Sequence, residues 1–488
     1  MDKSDRLNLE SVKHRMVTGI VALTLRTFFI QAFTFFATFL LTVLLDPSVF
    51  GIFFIVSAIL NLFVYFADVG LAAALIQKHK DPTEDDLKTT FTIQQAIVAV
   101  LVTIGFLFSA EIAQFYKLDQ QGLLLLRMLI FSLILSSLKT IPSIILERNL
   151  KFTKLIIPQI AENLVFYSIA VLLATLGFGL TSFTWAVLAR GVVGLILIYI
   201  ISPWKPALAL NWQTAKKLTT FGIPFQLNSI LALLKDDLLT VFIGKILPLN
   251  QVGYIGWAQK FAFVPLRFFM DNAIKVTFPA FSRLQNNTKE LASAIEKSIF
   301  FVCFFTYPSV LGIMSIAPYF VQIIPKYQKW EPALPVLYLL GVNALFAAVN
   351  TTLTNVLFAI GKPQIVLNLM VFWTFLTWVL TYALAIKFGF VGVALASAIV
   401  AASTSVIIFF IKRHIPITIG RNVFGPLLAS FVMFVLTRAL AAKIGHSSVG
   451  LILTIMAGAL TYALLSVGML GRNIVEQARL LIKSSFLK

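Results

Sequence analysis

Apolar stretches of roughly twenty residues or more recur from end to end of the chain, each long enough to cross the hydrocarbon core of a bilayer as a helix. They run over 17–45, 50–76, 90–115, 121–146, 155–177, 181–203, 219–246, 253–279, 297–324, 334–359, 364–386, 390–412, 423–442 and 449–470. Short polar connections separate them. The pattern predicts an all-α polytopic membrane protein of about fourteen transmembrane helices. The segment before the first stretch, Met1 to Arg15, is polar and of mixed charge. The stretch after it is too long for a signal-peptide core, so it reads as a retained first helix. At the other end, Ile474–Lys488 places Leu and Ile between Arg479 and Lys483 at near-helical spacing, which fits an interfacial helix or a solvated tail.

The connections carry an independent test of the helix count. With the N-terminus inside, the inner segments hold Lys3, Arg6, Lys13 and Arg15, then Lys78, Lys80 and Lys88, then Arg148, Lys151 and Lys154. Lys205, Lys216 and Lys217 follow, then Arg283, Lys289 and Lys297, Lys362, then Lys412, Arg413 and Arg421, and finally Arg472, Arg479, Lys483 and Lys488. The outer connections offer Lys117, Lys245, Lys326, Lys329, Lys387 and Lys443. This is a bias of about four to one toward one side, the signature of cations retained in the cytoplasm. It predicts a multi-pass protein of the cell inner membrane with both termini cytoplasmic. A wrong count would scramble the alternation.

The chain also repeats itself weakly. Leu45-Asp46-Pro47-Ser48-Val49-Phe50-Gly51 follows the first stretch, and Leu247-Pro248-Leu249-Asn250-Gln251-Val252-Gly253 follows the seventh. Asn149-Leu150-Lys151 corresponds to Gly361-Lys362-Pro363, and Phe178-Gly179 to Phe388-Gly389, at similar offsets and in the same order. A shift by an even number of helices preserves orientation, so the halves read as parallel repeats about an axis along the membrane normal. The expected organisation is an N-terminal lobe of helices one to six (1–218) and a C-terminal lobe of helices seven to twelve (219–422). The segment 423–488 then holds two appended helices and a tail.

Composition agrees: 59% of residues are hydrophobic and 12% charged, well below the charged share of a soluble domain. The net charge of +19 does not imply nucleic acid, because the cations stand singly or in pairs between apolar stretches. Cys303 is the one cysteine, and His14, His79, His414 and His446 lie in polar connections. No metal site, phosphate-cradling loop, cofactor motif or sizeable soluble domain is visible, so an enzyme reading is disfavoured. An ATP-driven pump would need a partner chain.

Chemistry at membrane depth rests on ionisable side chains, each costing roughly 2.5–3.5 kcal/mol at a helix centre unless it meets a cavity or a partner. The cations are Arg26, Arg127, Lys139, Arg190, Lys235, Lys260, Arg267, Lys275 and Arg438, and the acids Asp68, Glu162, Asp236, Asp237 and Asp271. The cations outnumber the acids, which a set of purely structural ion pairs would not produce. In helix eight, Lys260, Arg267, Asp271 and Lys275 fall on one face. Asp271 can pair with Arg267 or Lys275, but one acid cannot neutralise three cations. Arg26 and Arg190 lie near the midplane, with Glu162 able to neutralise Arg190. Lys235, Asp236 and Asp237 are consecutive and spread around helix seven. Asp68 reads as a structural contact. Asn61 and Tyr65, and Asn343 with Asn350, read as interhelical hydrogen-bonding groups. The candidate substrate-binding set is therefore Arg26, Arg190, Lys235, Lys260, Arg267 and Lys275. Asp236, Asp237 and Asp271 are candidates for ion coupling.

Several of these segments resemble Wzx-type polysaccharide exporters. They are Leu45-Asp46-Pro47-Ser48-Val49-Phe50-Gly51, the run from Phe66-Ala67-Asp68-Val69-Gly70 to Gln77, Glu147-Arg148-Asn149-Leu150-Lys151-Phe152, and Val252-Gly253-Tyr254. The resemblance implies the multidrug/oligosaccharidyl-lipid/polysaccharide exporter fold, in which two lobes of about six helices enclose a central cavity that opens by alternating access. It implies a flippase whose cargo is an undecaprenyl-diphosphate-linked oligosaccharide repeat unit, working beside a polysaccharide polymerase and other assembly proteins. Intramembrane Arg and Lys would suit such an anionic headgroup. The rivals are a cation-coupled drug or metabolite antiporter, which would lean on the buried acids, and a lipid II-type flippase. A membrane glycosyltransferase is disfavoured, because no outer connection is large enough for a catalytic region.

Overall fold

The computed structural model describes residues 30–78, 81–227 and 230–470, and the regular structure among them is helical. Helix α1, described over Ile30–Leu44, is apolar. Pro47 opens α2 (Pro47–Asp68), where its missing N–H would have had no helical partner and its fixed φ suits the first turn. Val69 and Gly70, both left-handed, end that helix. Helix α3 (Leu71–Gln77) follows, its first turn capped by Asp68, whose Oδ1 accepts from the Ala72 N–H at 3.2 Å. Thr83 and Asp86 form a reciprocal capping box at the start of α4 (Glu84–Leu107). The first half of the chain continues with α5 (Ser109–Phe115), α6 (Gln120–Leu138), α7 (Thr140–Arg148), α8 (Phe152–Thr175) and α9 (Thr181–Ile201).

The stretch expected as one span over 219–246 is described as α10 (Trp212–Leu227), α11 (Ile230–Lys235) and α12 (Asp237–Ile246), with an interruption at Asp236 between the last two. That interruption falls at Lys235-Asp236-Asp237, three consecutive charges that no single apolar face can accommodate. Two long helices follow, α13 (Leu249–Leu284) and α14 (Thr288–Ile323), each of 36 residues. After a 3-10 turn (Gln328–Ala333) come α15 (Leu334–Ala359), α16 (Pro363–Ser403), α17 (Ile407–Lys412), α18 (Gly420–Ile444) and α19 (Ser448–Leu470).

Ten helical stretches among the described residues are long and apolar enough to cross a membrane. One of them, Pro363–Lys412, is interrupted at Gly389, whose φ of 60° and ψ of −140° suit glycine alone. The expected division between 364–386 and 390–412 falls there. Helix α13 is absent from the ten because its charged stripe breaks the apolar run.

The chain divides into two compact units, Met1–Gly253 and Tyr254–Lys488. In the first, α8 packs along α9, α6 lies against α4 and α9, α12 runs along α2, and α10 sits on α3 and α4. Leu71, Leu75, Phe91, Ile141, Ile144 and Trp204 make one of its cores. In the second unit, α14 packs on α15 and α18, α15 on α16, and α18 on α19. Ile295, Ile299, Val302, Leu353 and Val356 lie fully buried between them.

Polar side chains act as the expected glue. Asn343 Nδ2 donates to the carbonyl and hydroxyl oxygens of Ser397 at 3.0 and 2.7 Å, and Asn350 donates to Thr404 Oγ1. Arg148 Nη1 gathers the carbonyls of Leu75, Ile76 and Lys78 at the end of α3, at 2.8, 3.0 and 2.8 Å. The start of α2 and the first turn of α13 meet through glycine. A side chain on Gly51 would overlap the Leu249 carbonyl, and one on Gly253 would overlap the Pro47 carbonyl. The two contacts use matching positions of the internal repeat.

Candidate functional site

Helix α13 presents Lys260, Arg267, Asp271 and Lys275 along one face, and all four are exposed. Val264, 39% exposed, lies in the same stripe. None of the four charged residues makes an ion pair with another described residue. The i,i+4 pairing open to Asp271 is thus unmade in both directions, and three cations and one anion remain free to meet a ligand. Hydrocarbon would not accept this face, whereas a water-filled space would. The spacing that placed these residues together in the sequence survives because α13 is continuous through both Pro265 and Pro279.

A second charged cluster lies within the first unit. Glu162 of α8 receives Lys139, at the end of α6, on Oε1 at 2.6 Å and Arg190 of α9 on Oε2 at 3.6 Å. The carboxylate is sunk, with 11% of its side chain exposed, while Arg190 keeps 49%. Room for the carboxylate comes from Gly194 on α9, where any side chain would overlap it. The pairing of Glu162 with Arg190 was legible in the sequence. Lys139 was visible as an intramembrane cation but not as a partner, and its signal was the lone acid on the following helix.

Other candidates are dispersed. Asp237 Oδ1 accepts from Asn61 Nδ2 at 2.8 Å, linking α12 to α2. Tyr65 and Gln226 bond reciprocally through side chain and backbone, joining α2 to α10. Lys235 and Asp236 stand at the break between α11 and α12. Arg26 lies outside the described residues, as does Ile474–Lys488. Arg438 of α18, visible in the sequence as an intramembrane cation but outside the candidate binding set, donates to Tyr338 Oη at 3.0 Å and sits 5.5 Å from the Tyr319 ring centroid. Arg127 donates to Ser109 Oγ at 3.0 Å.

A fold of charge-bearing transmembrane helices in which cations predominate invites comparison with carriers of anionic cargo. The family model described as polysaccharide biosynthesis protein matches residues 40–335, more than half of the chain. The chain belongs to this polysaccharide biosynthesis protein family. It is a membrane transport protein of polysaccharide biosynthesis and not an enzyme. The lipopolysaccharide biosynthesis protein WzxC of Escherichia coli (strain K12) is 22% identical over 403 residues, covering 82% of this chain and 81% of that protein. The succinoglycan biosynthesis transport protein ExoT of Rhizobium meliloti (strain 1021) is 23% identical over 425 residues, 85% of this chain and 84% of that protein. Among solved structures, the lipid II flippase MurJ in an inward closed conformation superposes with a TM-score of 0.74 at 16% identity, covering 92% of this chain and 98% of that one. An inward-facing multidrug resistance MATE transporter of the MOP superfamily reaches a TM-score of 0.61 at 15% identity, covering 81% of this chain and 97% of that one. The fold is thus shared with these flippase and transporter structures.

Proposed function

We propose that this family member is a flippase that carries undecaprenyl-diphosphate-linked oligosaccharide repeat units from the cytoplasmic to the outer leaflet by alternating access. The observation that carries the reading is the exposed, unpaired cationic stripe Lys260, Arg267 and Lys275 on α13. A diphosphate headgroup is anionic, and Arg and Lys hold such oxygens by charge-assisted hydrogen bonds. Arg26, Arg190 and Lys235 complete the proposed substrate-binding set. The polyprenyl tail would stay in lipid while the sugars meet polar groups. The finer architecture proposed with it is about fourteen spans in two lobes, 1–218 and 219–422, around a central cavity, with 423–488 appended. A polymerase and other assembly proteins would receive the product.

A cation-coupled antiporter would centre on Asp236, Asp237 and Asp271. Asp237 is engaged by Asn61, and Asp271 shares its helix face with Lys260, Arg267 and Lys275. A lipid II-type flippase would share the diphosphate chemistry and differ in the sugars received.

Purified protein in proteoliposomes holding a fluorescent polyprenyl-diphosphate oligosaccharide should move the lipid between leaflets faster than protein-free vesicles do. A rate equal to that of empty vesicles would reject the proposal. The topology proposed with it puts both termini in the cytoplasm. A single cysteine at position 216, in a Cys303→Ser background, should resist an impermeant maleimide applied outside, while one at position 117 should react. The opposite pattern would invert the orientation.

A further inference from the structure

Glu162 has one more cation than it needs. The charge of a buried carboxylate is balanced by a single well-placed lysine, and Lys139 at 2.6 Å is such a partner. Arg190 is held more loosely, at 3.6 Å and through Nε only. Its two terminal nitrogens make no ion pair or hydrogen bond with another described residue, and half of its side chain is open. The guanidinium is therefore anchored at its root while its bidentate edge is presented outward. The unequal burial of the three groups gives them unequal freedom. Lys139 and Glu162 are the more enclosed, and the carboxylate fills the space that a side chain at Gly194 would take.

We infer that Glu162 is an internal counter-anion, which neutralises Arg190 while the carrier is empty and yields it to the substrate's diphosphate on loading. This rests on the flippase reading above. When Arg190 turns to a diphosphate, Glu162 is not stranded, because Lys139 still pairs with it. The second cation is what makes the exchange feasible in a low-dielectric lobe, where an unpaired carboxylate would be strongly disfavoured. On release the carboxylate recaptures Arg190 and helps to displace the headgroup. Glu162 and Lys139 are thus positioning residues that set how tightly Arg190 holds its ligand.

The competition predicts effects of opposite sign, which a merely structural ion pair would not give. Binding of undecaprenyl diphosphate, with undecaprenol as the uncharged control, is measured in nanodiscs alongside flipping rate and thermal stability. Glu162→Gln keeps the shape and the acceptor for Lys139 but removes the competing charge. It should bind the diphosphate about tenfold tighter, a factor worth about 1.4 kcal/mol, and release it more slowly, so that turnover falls as affinity rises. Lys139→Gln should bind it more weakly, because the freed carboxylate then closes fully on Arg190. Undecaprenol binding should be unchanged in both. If the parent binds the diphosphate and Glu162→Gln binds it equally or more weakly, the counter-anion role is overturned while the flippase reading stands. If the parent shows no preference for the diphosphate over undecaprenol, both fall together.

Discussion

Replacing Lys260, Arg267 and Lys275 together by glutamine is expected to lower glycan export by about a hundredfold or more, since even about 1 kcal/mol for each lost charge-assisted contact sums to about 3 kcal/mol. Glutamine keeps most of the stem length and a donor, so the change is chiefly one of charge. The residues are exposed and unpaired, so their neutralisation leaves no buried partner without a mate, and folding should survive. Asp271→Asn is the informative companion. It raises the positive excess on the same face and should leave export intact or improve loading. The measurement is complementation of a glycan-export defect at matched membrane levels of protein. Export at the parental rate in the triple variant would remove the stripe from the mechanism. Loss of export in Asp271→Asn alone would instead favour ion coupling through that acid.

Flipping should also respond to the membrane potential. An inside-negative potential favours outward movement of an anion by about 2.3 kcal/mol per charge per 100 mV, so a diphosphate carrying about two charges gains roughly 4–5 kcal/mol per 100 mV if it crosses the full field. Any cavity cations that move with the loaded carrier travel outward against the same field and recover that cost on the empty return, so the full cycle keeps the gain of the transferred anion without ATP. Proteoliposomes with a potassium–valinomycin potential and no proton or sodium gradient test this directly. The rate should rise with inside-negative polarity relative to the side from which substrate is loaded and fall when the polarity is reversed. A rate indifferent to both size and sign would exclude an electrogenic cycle and bring Asp236, Asp237 and Asp271 forward as coupling groups.

Much of the helical layout was legible because its punctuation is local. Asp46-Pro47, Gly361 and Gly389 end or begin elements through backbone chemistry that one residue carries by itself. The α13 stripe was legible for a similar reason, since residues on one helix face are fixed by spacing alone. The interruption of the seventh stretch between α11 and α12 was not, because hydropathy averages over the three charges at Lys235-Asp236-Asp237. The polar continuation of α13 to Leu284 and the early start of α14 at Thr288 escaped for the same reason. Partnerships across helices were the hardest to read. Asn61 and Asp237 are separated by many helices and Lys139 and Glu162 by α7, and a single sequence says which residues need partners without saying which they find.

The glycine contact between α2 and α13 ties two distant positions into one heritable unit. Because Gly51 meets the carbonyl of Leu249 and Gly253 meets that of Pro47, a methyl group at either site pushes on the same pair of backbones. A substitution at one position cannot be relieved by a smaller residue at the other, since neither glycine has anything left to give up. Drift at both sites is therefore barred by one shared constraint, and compensation would have to come from bending a helix rather than from trading side chains.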